Sequence, residues 1–372
     1  MLSDRGIKAA IEGGSLQIKP FEPGPPQGSS TPNLGTCSYN LKIDRIYRLG
    51  RFATANDIPR YEEMEEFIGR YCTPYPGYFS EDNDYIGVTH ERIASVYDPI
   101  VTDRSSAARI GLEIIDAHPE RWDFLGAGRT EPRPIYVNIR AFVPHAIVPE
   151  GERIAQVFFN PGENLYGEQF LKIAKQIKSY PDLTLLSQVR KTPLGNNGIV
   201  LHAGNKIRIH NGKPLEWGKD DKSAFDEVDI TGMYEINGGS RFCIIPSMEY
   251  LELPPTHAGW LWHYNKEYDP KITPHAPISA RTFMIHPNAP VINPGSEGNQ
   301  IFEVWHANQL SFSLGKEELF DDEHYFHRGI RLGVGKPISI MSLHALDQTP
   351  ENSYAGKYKR QKGPQTSLSL LD

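Results

Sequence analysis

One run of the chain combines hydroxyl and guanidinium groups at close spacing. The run from Asp103 to Arg109 (DRSSAAR) places Ser105 and Ser106 between two arginines, Arg104 and Arg109. Arginine offers forked N–H donors and serine a compact O–H donor, and together they suit the oxygens of a phosphate. By residue type alone, a helix N-cap beside solvated arginines is the simpler interpretation. The run is therefore a candidate anion site that needs a second observation.

A glutamate on a predicted strand is the candidate group for proton transfer. The turn at 292–295 leads into residues 300–305, where Glu303 alternates with Phe302 and Val304. Alternation puts Glu303 on the face opposite these two apolar residues. If that face points into a pocket, desolvation raises the carboxyl pKa and suits the group to proton transfer. A strand glutamate facing solvent explains the same pattern, so both interpretations stay open.

The C-terminal tail contains a basic run, GKYKRQKGP, at residues 356–364. A basic terminal segment can close over a triphosphate as a lid. A solvated terminus is the commoner explanation for such a tail.

The sequence lacks the complete motif pair of the zinc-dependent deaminases, which combine H-x-E with P-C-x-x-C. His118, Pro119 and Glu120 have the first spacing, but the three cysteines stand far apart at positions 37, 72 and 243. We therefore predict that no zinc takes part in catalysis. The same cysteine spacing argues against a disulfide framework.

Composition excludes several classes of protein. The 372 residues carry a formal net charge of −7, which argues against a non-specific nucleic-acid binder. The N-terminus has no apolar signal region and no stretch is apolar enough to cross a bilayer, so we expect a cytoplasmic location. The 33 glycines and 30 prolines are typical of many short strands joined by turns.

The order of predicted elements repeats along the chain. A helix capped by Asp4 precedes a strand at 16–18, and a helix over 168–178 precedes a strand at 183–185. Residues 198–209 then resemble residues 37–49. A further helix from Asp57 carries an apolar face of Met64, Phe67, Ile68 and Tyr71. This repetition predicts an internal duplication with domains at 1–165 and 166–372.

Several motifs resemble those of the dCTP deaminase family. DRSSAARIGL (103–112) resembles the family's serine-serine-arginine signature, and VPEGERIAQVFF (148–159) its closing strand. EYLELPPTHAGWL (249–261) is similar to the stretch leading into that signature. ARTFMIHPNAPVINPGSEGNQIFEV (280–304) resembles the stretch ending in the catalytic glutamate, and GKYKRQKGP the C-terminal lid. The opening LSDRGIKAAIEGGSLQIKP (2–20) is also similar, and the length suits double-length bacterial members.

The resemblance implies a mainly-β fold of two tandem dUTPase-like distorted β-barrel or jelly-roll domains with a few short helices. It implies zinc-independent hydrolysis of dCTP to dUTP and ammonia, Mg²⁺ bound with the triphosphate, and inhibition by dTTP. It also implies a homo-oligomer with sites between domains. From the net charge and the hydropathy of the chain, we expect neither nucleic acid nor membrane as a partner. The matching catalytic residues are Glu303 as general base and proton shuttle, Ser105 and Arg109. The matching substrate-binding residues are Arg104, Ser106, Ala289, Arg281, Asn293, Lys357, Tyr358 and Gln361.

Each half departs from the family pattern in a different place. Asn138 stands where the first half should carry the glutamate, and residues 276–279 (APIS) replace the signature in the second half. This division predicts one composite site, with the serines and arginines from the first half and Glu303 with the lid from the second. Asn293 and Ser296 replace an aspartate and a bulky residue of the family.

Two alternatives stay open. A dUTP diphosphatase, or an enzyme that both deaminates and removes pyrophosphate, shares the fold, although Asn293 and Ser296 argue against a dedicated diphosphatase. A deoxynucleotide-binding regulator without turnover is the non-enzymatic alternative, and retention of Glu303 beside a lid-like tail argues against it.

Overall fold

A computed structural model gives the fold of the chain. It describes residues 1–25, 32–50, 58–81, 83–117, 131–160, 167–180, 189–191, 197–219, 222–231, 233–236, 242–263, 290–305, 330–333, 335, 337–352 and 360. The predicted domain boundary at 165/166 and the predicted strand at 183–185 lie outside these residues.

The described chain is mainly β with a few short helices, as the composition predicted. The helices are α1 (Asp4–Glu12), α2 (Met64–Tyr71), α3 (Ser105–Ala108) and α4 (Gly167–Ala174). The strands up to residue 160 are β1 (Leu16–Lys19), β2 (Tyr39–Leu41), β3 (Ile43–Leu49), β4 (Cys72–Pro74), β5 (Tyr78–Phe79), β6 (Asp84–Ser95), β7 (Asp98–Asp103), β8 (Leu112–Asp116), β9 (Arg133–Ala141), β10 (Ala146–Ile147) and β11 (Ala155–Asn160).

The strands beyond residue 167 follow in a similar order. They are β12 (Lys178–Tyr180), β13 (Val189–Lys191), β14 (Asn197–His202), β15 (Lys206–His210), β16 (Leu215–Glu216), β17 (Phe225–Asp229), β18 (Met233–Ile236), β19 (Phe242–Glu252), β20 (His257–His263), β21 (Val291–Ile292), β22 (Glu297–Trp305), β23 (Ile330–Gly333) and β24 (Pro337–Ala345).

Two predictions about the helices need correction. Asp4 was predicted to cap α1, but the cap is Ser3, whose side chain accepts from the amide of Gly6, and Asp4 is the first helical residue. Tyr71 was predicted to lie on the apolar face of α2. It is 42% exposed, whereas Met64 and Phe67 are buried, and its ring instead covers that of Phe67 at a centroid distance of 5.2 Å.

The two halves of the chain repeat one strand topology. In the first half, the long strand β6 pairs with β1, β3 and β9, while β2, β11 and β7 form a second sheet. In the second half, β19 pairs with β12, β15 and β22, while β14, β24 and β20 form part of another. The second-half counterpart of β1 is therefore β12, which follows α4 directly.

A matching bulge in the two long strands sets the correspondence residue by residue. The register of β6 against β9 shifts between Val88 and Arg92, and that of β19 against β22 shifts between Pro246 and Tyr250. The Thr89 hydroxyl donates to the Glu91 carbonyl (2.7 Å) inside the first bulge.

The second bulge repeats these contacts. The Ser247 hydroxyl donates to the Glu249 carbonyl (2.5 Å). The buried carboxylates of Glu91 and Glu249 each accept from one backbone amide, that of Lys42 (2.9 Å) and that of His202 (3.0 Å). Counting from the bulges, Asn138 occupies the position in β9 that Glu303 occupies in β22, since they pair with Ile86 and Ile244 respectively.

The apolar core is shared between the halves. A cluster built mainly from first-half strands also contains Phe225, Phe242 and Ile244. A second cluster, which includes Phe302 and Val304, belongs to the second half. Strand β10 pairs in parallel with β16, which adds a second-half strand to a first-half sheet. Burial of apolar surface therefore stabilises the contact between the halves as well as each half.

Candidate active site

The strand β22 brings Glu303 to the contact between the halves. Phe302 and Val304 point into the second-half core, which leaves the odd-numbered residues on the other face. On that face Ile301 packs against the first-half cluster. Glu303 is only 2% exposed, so the solvent-facing interpretation is wrong.

The run DRSSAAR forms the short helix α3 on the first-half side. Ser105 begins the helix, and the amide of Arg109 donates to the Ser105 carbonyl (3.1 Å). Residues three and four apart on a helical turn are neighbours, so Ser105 and Ser106 lie beside Arg109. Arg104 occupies the N-cap position without a side-chain capping bond, so capping by a serine does not explain this run.

A glycine ends the helical turn directly after Arg109. Gly111 has a φ of +75°, which favours glycine, and a Cβ there would lie 2.6 Å from the Val143 side chain. The backbone can therefore turn into β8 without displacing Val143. Arg109, two residues before this turn, is only 3% exposed.

Arg109 and Glu303 form a buried ion pair that joins the halves. The Arg109 Nε atom lies 3.7 Å from the Glu303 Oε1 atom, and the two side chains are 4% and 2% exposed. This separation exceeds that of a normal hydrogen bond, so the attraction is mainly electrostatic. The structure thus brings together two of the three predicted catalytic residues, from opposite halves of the sequence.

Burial raises the pKa of Glu303 to about 8. The main cause is desolvation of the carboxylate, and the Arg109 charge opposes it without cancelling it. Removing an ion from water costs several kcal/mol, which one charge at this distance does not fully offset. A carboxyl group with this pKa can exist in both protonation states near neutral pH, as a group that accepts and then donates a proton must.

Arg104 makes one contact within the first half and one with the second. Its Nη1 atom donates to the carbonyl of Arg153 (2.6 Å), and its guanidinium stacks over the ring of Trp217 at 5.9 Å. Trp217 belongs to the second half, and its contribution was not visible in the sequence because no local pattern links it to Arg104. The substrate-binding role of Arg104 stays a prediction.

Asn293 lies on the turn between β21 and β22 and faces the first half. Its side-chain oxygen is 3.4 Å from the Thr36 hydroxyl and 3.8 Å from the Cys37 thiol. Its carbonyl accepts from the Ser296 amide (3.0 Å). The substrate-binding roles of Asn293 and Ser106 stay predictions.

Several predicted residues fall outside the described part of the chain. These are Arg281, Ala289, Lys357, Tyr358 and Gln361, together with the His118–Glu120 motif. Within the described ranges, no group of three or more His, Cys, Asp or Glu side chains is arranged to hold a metal ion. No helix among the same residues is long and apolar enough to cross a membrane.

The chain thus has a repeated β topology and a buried carboxylate–arginine pair between its two halves, and proteins similar to it in sequence and in structure are known. Residues 1–162 match the family model described as dCTP deaminase-like. A dUMP-forming dCTP deaminase of Aquifex aeolicus (strain VF5) is 25% identical over 172 residues, which cover 46% of this chain and 78% of the relative. The resemblance to the dCTP deaminase family is thereby confirmed, and it is carried by residues 1–162, which are similar to a dCTP deaminase-like domain.

A solved structure resembles nearly the whole chain. The crystal structure of the 2'-deoxycytidine 5'-triphosphate deaminase from Agrobacterium tumefaciens superposes with a TM-score of 0.61 at 17% identity. The superposition covers 94% of this chain and 96% of that one. At this identity the likeness establishes the fold.

Proposed function

We propose that this chain hydrolyses dCTP to dUTP and ammonia at one composite site built from both halves. The observation that carries the proposal is the buried contact between Arg109 of the first half and Glu303 of the second. The family match and the dCTP deaminase relative supply the substrate class.

In the proposed mechanism Glu303 transfers protons in turn. Its carboxylate accepts a proton from water as the water oxygen bonds to C4 of the cytosine ring. Glu303 then gives that proton to N3 of the ring. The second proton of the former water passes to the exocyclic nitrogen, the C4–N bond breaks, and ammonia leaves behind the uracil carbonyl. Arg109 keeps the carboxylate form accessible in a buried site, because its charge lowers a pKa that burial raises.

The serines and the tail supply substrate binding in this proposal. The Ser105 hydroxyl orients the water, while Ser106 and Arg104 with the second-half residues Ala289, Arg281 and Asn293 hold the nucleotide. Lys357, Tyr358 and Gln361 bind the phosphates. A Mg²⁺ ion bound with the triphosphate would neutralise part of its charge.

We also propose how the chain arose, by internal duplication, and that it forms an oligomer. The repeated topology and the matching bulges support an internal duplication, with domains at 1–165 and 166–372 built as dUTPase-like barrels. We propose a homo-oligomer with dTTP as an inhibitor, following the family resemblance.

A dUMP-forming reaction is the second candidate. The name of the Aquifex aeolicus relative favours it, because that enzyme is a dUMP-forming dCTP deaminase. In this case the site would also break the bond between the α- and β-phosphates and release pyrophosphate.

The experiment that separates these functions follows the products of dCTP. The purified protein is incubated with dCTP and Mg²⁺, and ammonia, dUTP, dUMP and pyrophosphate are measured. We expect ammonia and dUTP in equal amounts, and neither from the Ser105→Ala or Glu303→Gln variants. Formation of dUMP and pyrophosphate without free dUTP would establish the second candidate. Binding of dCTP without ammonia would identify a regulator and contradict the proposal.

A further inference from the structure

Trp217 is a second-half residue that packs into the contact between the halves. It is 8% exposed and belongs to the apolar cluster that also contains Ile244, the cross-strand neighbour of Glu303. Its amide donates to the carbonyl of Ile147 (2.8 Å), which continues the parallel pairing of β10 with β16. The backbone of this second-half residue is therefore bonded directly to a first-half strand.

Arg104 contacts both the ring of Trp217 and a fixed carbonyl of the first half. Its Cζ atom lies over the indole ring, 5.9 Å from the ring centroid, and its Nη1 atom donates to the carbonyl of Arg153 (2.6 Å). The amide of Arg104 donates to the next carbonyl, that of Ile154 (3.0 Å). Arg153 is itself held in place, because its guanidinium binds the buried carboxylate of Glu91. The first half thus fixes the base of the Arg104 side chain, and the second half supplies the ring on which its guanidinium stacks.

Stacking and hydrogen bonding use different parts of a guanidinium group. The cation stacks on an aromatic ring through its flat face, while its N–H donors point outward in its own plane. A ring therefore restricts the orientation of an arginine without occupying these donors, whereas a carboxylate would occupy two of them. An arginine held in this way suits phosphate oxygens, and Ser105 and Ser106 follow it directly at the start of α3.

We propose that Trp217 is a positioning residue that orients Arg104 toward the phosphate oxygens of the nucleotide. The second half then contributes to the serine–arginine side of the site as well as supplying Glu303. The inference rests on the proposed function, in which Arg104 holds the nucleotide. Because the ring acts through Arg104, its removal should weaken the binding of phosphate groups and leave proton transfer at Glu303 unchanged.

The Michaelis constants of two Trp217 variants test the role of the ring. We expect Trp217→Leu to raise KM for dCTP about tenfold, the scale of a lost cation–π contact in a desolvated site, and to leave kcat within about twofold. Trp217→Phe keeps an aromatic face and should raise KM only about threefold. An unchanged KM in Trp217→Leu, or a fall of kcat as large as the rise of KM, would overturn the inference.

Substitution of Arg104 tests whether the ring acts through the guanidinium. In an Arg104→Met chain, which has no side-chain donor, Trp217→Leu should have no further effect on KM. An equal rise of KM in both backgrounds would mean that Trp217 acts independently of Arg104, and would overturn the inference.

Deoxycytidine, which has no phosphate, separates the phosphates from the base. As a competitive inhibitor it should bind the parent and Trp217→Leu equally well, because the inference assigns the ring to phosphate binding alone. A loss of its affinity that matches the rise of KM for dCTP would assign the ring to the base or to the fold, and would contradict the inference.

The matched control removes a similar stack elsewhere in the chain. Arg48 lies over the ring of Tyr75 at 5.7 Å, within the first half. Tyr75→Leu removes that contact and should leave KM for dCTP unchanged, while urea denaturation of both variants identifies any loss of stability. A rise of KM in Tyr75→Leu as large as that in Trp217→Leu would attribute the effect to a general loosening of the fold and would overturn the inference.

Failure of the proposed function has a different signature. If the parent releases no ammonia, the proposed function fails, and the dissociation constant of dCTP takes the place of KM in each comparison. If dCTP does not bind either, a double-mutant cycle of the free energy of unfolding over Arg104→Met and Trp217→Leu decides whether the two side chains interact. Coupled effects would support the contact through which Trp217 orients Arg104, and additive effects would overturn it.

Discussion

The strands β9 and β22 occupy equivalent places in the two halves and carry different chemistry. Asn138 pairs with Ile86 and Glu303 with Ile244, at the same distance from matching bulges. Glu303 faces the buried guanidinium of Arg109, whereas among the described residues no hydrogen-bond donor reaches the Asn138 side-chain oxygen. One strand framework thus supports an ionisable site in one half and a neutral amide in the other, because function depends on the side chains that the fold places together.

The largest expected effect is a difference in kcat between substitutions at Glu303 and at Asn138. Glu303→Gln should lower kcat for ammonia release about a thousandfold, the scale of a lost general base. Asn138→Ala should change kcat less than about twofold, because no proton transfer is assigned to that amide. Ammonia release at saturating dCTP measures both. A comparable loss in the two variants would contradict the difference between the halves.

The second-largest effect is expected from substitution of Arg109, and it concerns the pH dependence of kcat/KM. In the parent, kcat/KM should rise with pH and level off above about pH 8, because the carboxylate is the form that accepts a proton. Arg109→Gln removes the charge that lowers the pKa of Glu303, so the rise should move to higher pH and kcat/KM at pH 7 should fall about a hundredfold.

Arg109→Lys is the control for this profile, because it keeps the positive charge. It should leave the midpoint nearer that of the parent. An unshifted midpoint in Arg109→Gln would show that the guanidinium does not set the pKa of Glu303.

Stability should depend on pH through Glu303. Its pKa in the folded protein, about 8, lies above the ordinary value of 4.5 that applies to the unfolded chain. The protonated carboxyl is therefore favoured by folding, and this contribution is lost as pH rises from 4.5 to 8. The difference in unfolding free energy between the parent and Glu303→Gln should therefore change by about a few kcal/mol from pH 4.5 to pH 8. The change should be against the parent.

Urea denaturation at pH 5 and pH 9 measures this difference. Asn138→Ala is the internal comparison, because an amide does not titrate and its difference from the parent should be the same at both values. A Glu303→Gln difference that does not change with pH would mean that the carboxyl titrates normally.

The smallest effect is expected from substitutions in the two bulges. Each should lower the free energy of unfolding, and by the same amount in both halves. Thr89→Val leaves the amide of Ile135 without its 2.8 Å acceptor, and Ser247→Ala does the same to the amide of Gln300 at 2.9 Å. Each should lower the free energy of unfolding by about 1–3 kcal/mol in urea titrations. A marked inequality would break the correspondence on which the alignment of Asn138 with Glu303 rests.

The sequence predicted the features that depend on local patterns. The mainly-β composition, the span of α1 and the repeated order of elements follow from turn residues and from apolar spacing. Alternation along residues 300–304 placed Glu303 on the face away from Phe302 and Val304, and the core clusters agree.

Features that depend on distant parts of the chain could not be predicted in this way. The stacking of Arg104 on Trp217, the parallel pairing of β10 with β16 and the bonds of Asp4 to Asn352 join residues far apart in sequence. No periodicity links such pairs. Asp4 shows the consequence, because its type suited a cap while Ser3, one residue earlier, supplied it.

The central claim, one site made by both halves of a single chain, is tested most directly by mixing two inactive variants. Ser105→Ala and Glu303→Gln chains carry different affinity tags, are produced together, and their mixed oligomers are isolated through both tags. Because Arg109 and Glu303 meet within one chain, every site keeps one defect, and ammonia release should stay at the level of the separate variants. Recovery of about half of the parent activity in mixed dimers, or about a third in mixed trimers, would show that each site joins different chains and would contradict the account.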